Sequence, residues 1–176
     1  MKTRLLFAPL FVALLLSGCG QKDAAPASAT ASAAAPAPAA GPRVIEITAN
    51  DTMKYIMGDK QSGPGNPLII DAKPGEQLKI VLTNTGTQPK EVMGHNLVLL
   101  KPGSDPAAFS TAATVAKDTD YVPAALSGEV IAHIQLLGPR KSGEITFTVP
   151  AAGEYPFLCS FPAHFAVGMA GKIIAK

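Results

Sequence analysis

One short stretch constrains this chain more than any other. Within Tyr155-Pro-Phe-Leu-Cys-Ser-Phe-Pro-Ala-His-Phe-Ala-Val-Gly-Met-Ala-Gly171, a thiol (Cys159), an imidazole (His164) and a thioether (Met169) follow one another with four residues between each pair. These are soft donors. Sulfur ligands favour Cu(I), and imidazole suits both oxidation states of copper, so the stretch is expected to bind one copper ion. A second imidazole is needed to complete such a site. The chain has 3 histidines in all, so it must be His95 or His133.

The cysteine count points the same way. Residues 1–18 read as a lipoprotein signal peptide. Lys2 and Arg4 give the charged start, Leu5 to Leu16 the apolar run, and Leu16-Ser17-Gly18-Cys19 the small-residue end. That apolar run is short for a bilayer span. Leu-Ser-Gly-Cys resembles the lipobox of bacterial lipoproteins. The resemblance implies cleavage before Cys19, lipid on its thiol, and anchoring in the periplasm. Gly20 rather than Asp follows, which by analogy favours the outer membrane over the inner. Of the 2 cysteines, lipid takes Cys19 and leaves Cys159 unpaired in an oxidising compartment. An unpaired thiol there needs a reason, and a metal bond is one.

Residues 19–42 form a tether. Its Ala/Pro/Ser-rich run lacks the large apolar side chains that a core requires, and Pro26, Pro36 and Pro38 interrupt any long helix. Its use would be reach. With Lys2 and Arg4 removed, 13 of the 15 basic residues remain against 13 acidic ones. A near-neutral chain has no basic footprint for nucleic acid.

From Arg43 to Lys176 the pattern is that of a folded domain. RVIEITA, LIIDA, EQLKIVLTN, VMGHNLVLL, EVIAHIQLL, EITFTV, EYPFLC and GKIIAK read as strands separated by Gly and Pro, with a further short strand near Met53–Met57. Ser104 to Lys117 is the one helical candidate, capped by Ser104 with Pro106 in its first turn. The expectation is an all-β, antiparallel Greek-key sandwich of about eight strands with one short helical insertion.

His95 is the expected second imidazole. Gly94 before it removes a side chain, so that backbone can approach a ligand closely. A trigonal two-His, one-Cys site with a long axial Met describes a blue-copper electron-transfer centre. A rigid strand supplies one ligand and one loop supplies the rest, so little has to reorganise when an electron moves.

Across residues 43–176 the sequence resembles the azurin and auracyanin group of cupredoxins. The matching residues are Val92-Met93-Gly94-His95-Asn96, Lys117-Asp-Thr-Asp-Tyr121, Val130-Ile-Ala-His133 and Cys159-Ser-Phe-Pro-Ala-His164. The resemblance implies copper held by His95 Nδ1, Cys159 Sγ and His164 Nδ1, with Met169 as a weak axial ligand and the Gly94 carbonyl opposite it. It implies that Asn96 and Ser160 tie the two ligand segments together by hydrogen bonds. His133 falls at a position that is not a ligand. The chain departs from azurins in placing four residues, Phe165 to Gly168, between His and Met. It also has Leu97 where azurins often carry Trp, and no second thiol for a disulfide.

The function implied is one-electron transfer, with no enzymatic activity. The far edge of His164 is expected to approach the surface within an apolar patch of Met93, Phe161, Pro162, Ala163, Phe165 and Ala166, where redox proteins such as c-type cytochromes or terminal reductases and oxidases dock briefly. The alternative is a periplasmic copper carrier or buffer. Copper enzymes with further histidine-rich sites need more histidines than this chain has.

Overall fold

The computed structural model describes residues 41–176. The expected signal peptide, the expected lipidation site Cys19 and nearly all of the expected tether lie outside the described residues.

Ten strands form two five-stranded sheets. The first holds β1 (Arg43–Asn50), β2 (Lys54–Met57), β3 (Lys60–Gln61), β5 (Gln77–Asn84) and β8 (Ser142–Thr148), in the order β3-β2-β1-β5-β8. The second holds β4 (Leu68–Ala72), β6 (His95–Leu100), β7 (Val130–Leu137), β9 (Gly153–Leu158) and β10 (Ala170–Ala175), in the order β4-β10-β9-β6-β7. The chain crosses repeatedly between the sheets, as a Greek-key sandwich requires. Strand periodicity sets the core. Ile45, Ile47 and Ala49 of β1, and Leu78, Ile80 and Leu82 of β5, point inward at every second residue. They meet Ile70, Leu97, Leu99, Phe157 and Ile173 from the other sheet.

Three details depart from the sequence expectation. The sandwich is not wholly antiparallel: β1 runs parallel to β5, and β10 parallel to β4. Each parallel pair joins strands linked through the opposite sheet, which lets them enter from the same end. The segment before His95 is not strand. Pro89 opens a short helix, α1 (Lys90–Met93), and β6 begins only after Gly94. The helical insertion is shorter than Ser104–Lys117. It is α2 (Pro106–Ala113), followed by two 3-10 turns, and Asp105 caps it instead of Ser104. The Asp105 carboxylate accepts from the Ala107 and Ala108 amides at 2.8 and 3.3 Å. An ionised acceptor at a helix N-terminus is stronger than a hydroxyl.

The insertion has a packing role. Phe109 lies with Val98, Leu100 and Leu158 in a second buried cluster, with Val122, Leu126 and Phe165 against it. Alternate side chains of β6 therefore face apolar partners on both sides, and all six of its residues are buried. His95 is thus set at the start of the most enclosed strand of the second sheet.

The two ends of the sandwich differ. Asn84, at the end of β5, donates its Nδ2 to the Leu137 carbonyl, and Leu137 is the partner of His95 in the β6–β7 ladder. Arg43, at the start of β1, pairs with Leu78 at the other end of the β1–β5 ladder and donates to the Asp71 carbonyl. The chain thus enters β1 at the end remote from His95.

Candidate metal centre

Three side chains from two segments converge. One donor atom each from His95, Cys159 and His164 lies within 4.8 Å of the others, and all three residues are buried. Cys159 Sγ is 3.3 Å from His164 Nδ1, and the two imidazole rings are 4.9 Å apart. His133, by contrast, is exposed on β7 opposite Val98.

The loop closes through its own backbone. The Cys159 amide donates to the Met169 carbonyl at 3.1 Å, and the Met169 amide donates to the His164 carbonyl at 3.0 Å. Ala163, at φ 70, turns the chain back after Pro162 so that the His164 amide reaches the Phe161 carbonyl. Met169 is fully buried, in the same core cluster as Cys159 and Phe161.

Gly168 takes φ +89, and a Cβ there would stand 2.1 Å from the Gly63 carbonyl carbon and 2.3 Å from the Pro64 nitrogen. Backbone atoms cannot move aside cheaply. Gly168→Ala is therefore expected to destabilise the metal-free domain by roughly 2–4 kcal/mol, from strain and overpacking together. Urea denaturation measures it, and an unchanged midpoint would show that the Ser62–Pro67 loop is not a fixed wall.

Asn96 joins the segments. Its Nδ2 donates to Ser160 Oγ at 2.8 Å and to the Asp120 carbonyl at 2.9 Å, and its Oδ1 accepts from the Ser160 amide at 2.8 Å. The residues after His95 and after Cys159 are thus locked together. Tyr55, whose deep burial keeps its phenol protonated, donates its hydroxyl to the Asn96 carbonyl. No periodicity singled out Tyr55; it lies on β2 and reaches the site only across the sandwich.

Gly94 has a reason of its own. A Cβ there would meet the Lys90 carbonyl at 2.5 Å and Leu136 Cγ at 2.8 Å. Its lack of a side chain admits α1 and β7, whether or not its carbonyl meets a ligand.

The electrostatics suit a cation. Both ring nitrogens of His95 are buried and neither makes a well-aligned hydrogen bond, although the Asn50 carbonyl lies near the ring. Leaving such an atom unpaired costs about 1–3 kcal/mol, so an electrophile is expected there. Burial lowers the His95 imidazole to about 4, against the pull of the Asn50 carbonyl and the Asp51 carboxylate. Burial, and then His95, lower His164 to about 4 as well. Both imidazoles are therefore neutral at pH 7, each with one basic nitrogen able to bind a metal. Burial pushes the Cys159 thiol up to about 12, opposed by the Asn96 and Phe161 backbone amides. No protein cation among the described residues neutralises a thiolate here, and a metal ion does so directly. The donor set fits copper.

Residues 64–176 match the copper-binding proteins of the plastocyanin/azurin family. The chain belongs to that family. Its cupredoxin fold carries copper as cofactor. An azurin of Alcaligenes faecalis is 32% identical over 132 residues, which is 73% of this chain and 94% of that protein. Outer membrane protein H.8 of Neisseria meningitidis is 36% identical over 136 residues, covering 76% of this chain and 68% of the relative. Among solved structures, a dithionite-reduced auracyanin from the photosynthetic bacterium Roseiflexus castenholzii superposes with a TM-score of 0.62 at 35% identity, over 76% of this chain and 96% of that one.

The surface around the cupredoxin loop is apolar but uneven. Ala163 and Ala166 are exposed and Val167 is 38% exposed, while Met93, Pro162 and Phe165 are half-buried. Phe161, expected on the same face, is buried and turns toward Tyr121 instead. His164 is only 2% exposed, so its edge is more covered than a loop position suggested. Val92, 59% exposed on α1 beside Met93, extends the apolar surface.

Proposed function

We propose that this cupredoxin is a carrier of single electrons and not an enzyme, in which His95, Cys159, His164 and, more weakly, Met169 would hold one copper, with the Gly94 carbonyl as a further candidate donor. When bound, copper supplies the Cu(II)/Cu(I) couple. The observation that carries the reading is the convergence of one donor atom each from His95, Cys159 and His164, all three buried, with no well-formed hydrogen bond occupying the His95 ring. The chain's own work is to hold these donors still. The Asn96–Ser160 bonds clamp the two segments, and the closed Cys159–Met169 backbone keeps the loop in register. Such fixation lowers the rearrangement that accompanies a change of charge.

Burial of all three donors favours electron transfer over copper delivery, since delivery needs exchangeable metal. Among the described residues this is the one His, Cys and carboxylate group arranged to hold a metal, which supports a carrier over a copper enzyme with several centres. Redox partners such as c-type cytochromes or terminal reductases and oxidases would dock on the apolar surface of Met93, Pro162, Ala163, Phe165 and Ala166, in a small and brief contact.

The location proposed is the periplasm, with residues 1–18 as signal peptide, lipid on Cys19, and residues 19–42 as a flexible tether to the domain of residues 43–176. Similarity to an outer membrane protein supports the outer membrane as its anchor. The deciding measurement is repeated electrochemical oxidation and reduction of the copper-loaded full chain beside a Cu(I) chelator. Cycling without copper loss is expected. Release of Cu(I) on each reduction would instead establish the copper carrier.

A further inference from the structure

The corner at Lys117–Tyr121 is built against the backbone's preference. Asp120 and Tyr121 lie at φ 52 and φ 62, two consecutive residues in the left-handed region, neither of them glycine. Asp tolerates this; a bulky Tyr does so only where its surroundings over-determine it. Three contacts do that. The Asp120 carbonyl accepts from Asn96 Nδ2 at 2.9 Å. The Asp120 carboxylate pairs with Lys90 Nζ at 3.1 Å. The Tyr121 ring stands edge-on to Phe161, with centroids 5.0 Å apart at 64°.

The placement of these contacts is informative. Asn96 is the residue after His95. The Phe161 ring lies 4.7 Å from the ring of His164. One strained corner therefore touches, at one remove, both imidazoles of the centre, and it comes from neither ligand segment. Core packing alone has no need of two left-handed residues in a row. Fixing the far ring of an aromatic pair against a loop imidazole does, because the loop has no sheet partner to orient His164.

We propose that Tyr121 is a positioning residue for His164, acting through Phe161, and that the Lys117–Tyr121 corner is a third arm of the metal centre. The inference rests on His164 being a ligand. Val122, next in the chain, packs in the second cluster with Phe109 and Leu126 and serves as the control.

The test uses the full chain, with competitive copper titration and EPR of the Cu(II)-loaded form. Tyr121→Leu is expected to lose 10–100-fold in copper affinity and to change the copper hyperfine splitting, the range seen for groups that orient ligands. Tyr121→Phe keeps the ring and is expected to stay within about two-fold of the parent. Val122→Ala is expected to lower thermal stability with affinity unchanged. Should Tyr121→Leu fail to fold, Tyr121→Met is read by the same criteria. Parent-like affinity and hyperfine splitting in Tyr121→Leu overturn the proposal, as does an equal affinity loss in Val122→Ala. A parent protein that shows no histidine-bound copper signal would instead remove the ligand assignment on which the proposal rests.

Discussion

Cys159→Ser is expected to abolish the intense visible band of the copper-loaded protein while leaving the fold intact. The band requires a thiolate, and Cys159 is the sole free cysteine among the described residues. Its Sγ lies 3.3 Å from His164 Nδ1 in a fully buried position. Serine is close to it in size, and its hydroxyl can donate to the same nitrogen, so the loop keeps a hydrogen bond in place of the sulfur contact. Oxygen is the harder donor and suits a soft site poorly. Chemical denaturation of the metal-free variant should stay within about 1 kcal/mol of the parent, as expected of a near-isosteric change whose polar group is satisfied. Visible absorption and far-UV circular dichroism together check the outcome. A variant that remains blue would mean that sulfur is not a ligand.

Copper affinity is expected to fall steeply with acid, in two regimes. Binding requires Cys159 as thiolate and both histidines neutral. Between about pH 8 and pH 5 the histidines, lowered to about 4, are already neutral, and the thiol, raised to about 12, is fully protonated. One proton is then released per copper, so affinity drops about 10-fold per pH unit, or about 1.4 kcal/mol. Below about pH 4 two more protons must leave, and the slope approaches about 1,000-fold per unit. The same histidines govern the metal-free protein. Their folded values lie below the ordinary 6.5, so the unfolded chain binds more protons in that interval. The stability they contribute is present above about 6.5 and is lost as pH falls through about 4. Copper titration with proton counting reads the first effect, and urea midpoints against pH read the second. A release of three protons at pH 7 would contradict neutral imidazoles.

Much of the site was legible because ligand chemistry depends on residue type. A thiol, an imidazole and a thioether on one loop narrow the metal, and three histidines leave few choices for the fourth donor. The strands were legible because alternation reports which face is buried, as in β1 and β5. β6 was harder, since burial on both faces erases its alternation and leaves an apolar run from Leu97 to Leu100. The turn at Lys90–Met93 was hidden for a similar reason: four residues are too few for a helical period to register.

Side-chain direction in the loops was not legible at all. Phe161 reads as one more apolar loop residue, yet it points inward to Tyr121 and His164. Its course follows from Ala163 at φ 70 and Gly168 at φ +89, single backbone angles that no periodicity encodes. Asp120 and Tyr121 stood out in the sequence only as part of a family resemblance, without a role. They reach the centre because Asn96, on β6, presents its amide to the Asp120 carbonyl. The amino-acid sequence by itself determined the donor types and the strand faces, since each of these is set by local chemistry or spacing, and its motifs carried the resemblance to a copper-binding family. Only the tertiary structure decided that His95 stands next to Cys159 across some sixty residues, that both its nitrogens are sealed from water, and that a third segment braces the pair. Those are matters of which strands pack together, and packing is a property of the whole chain.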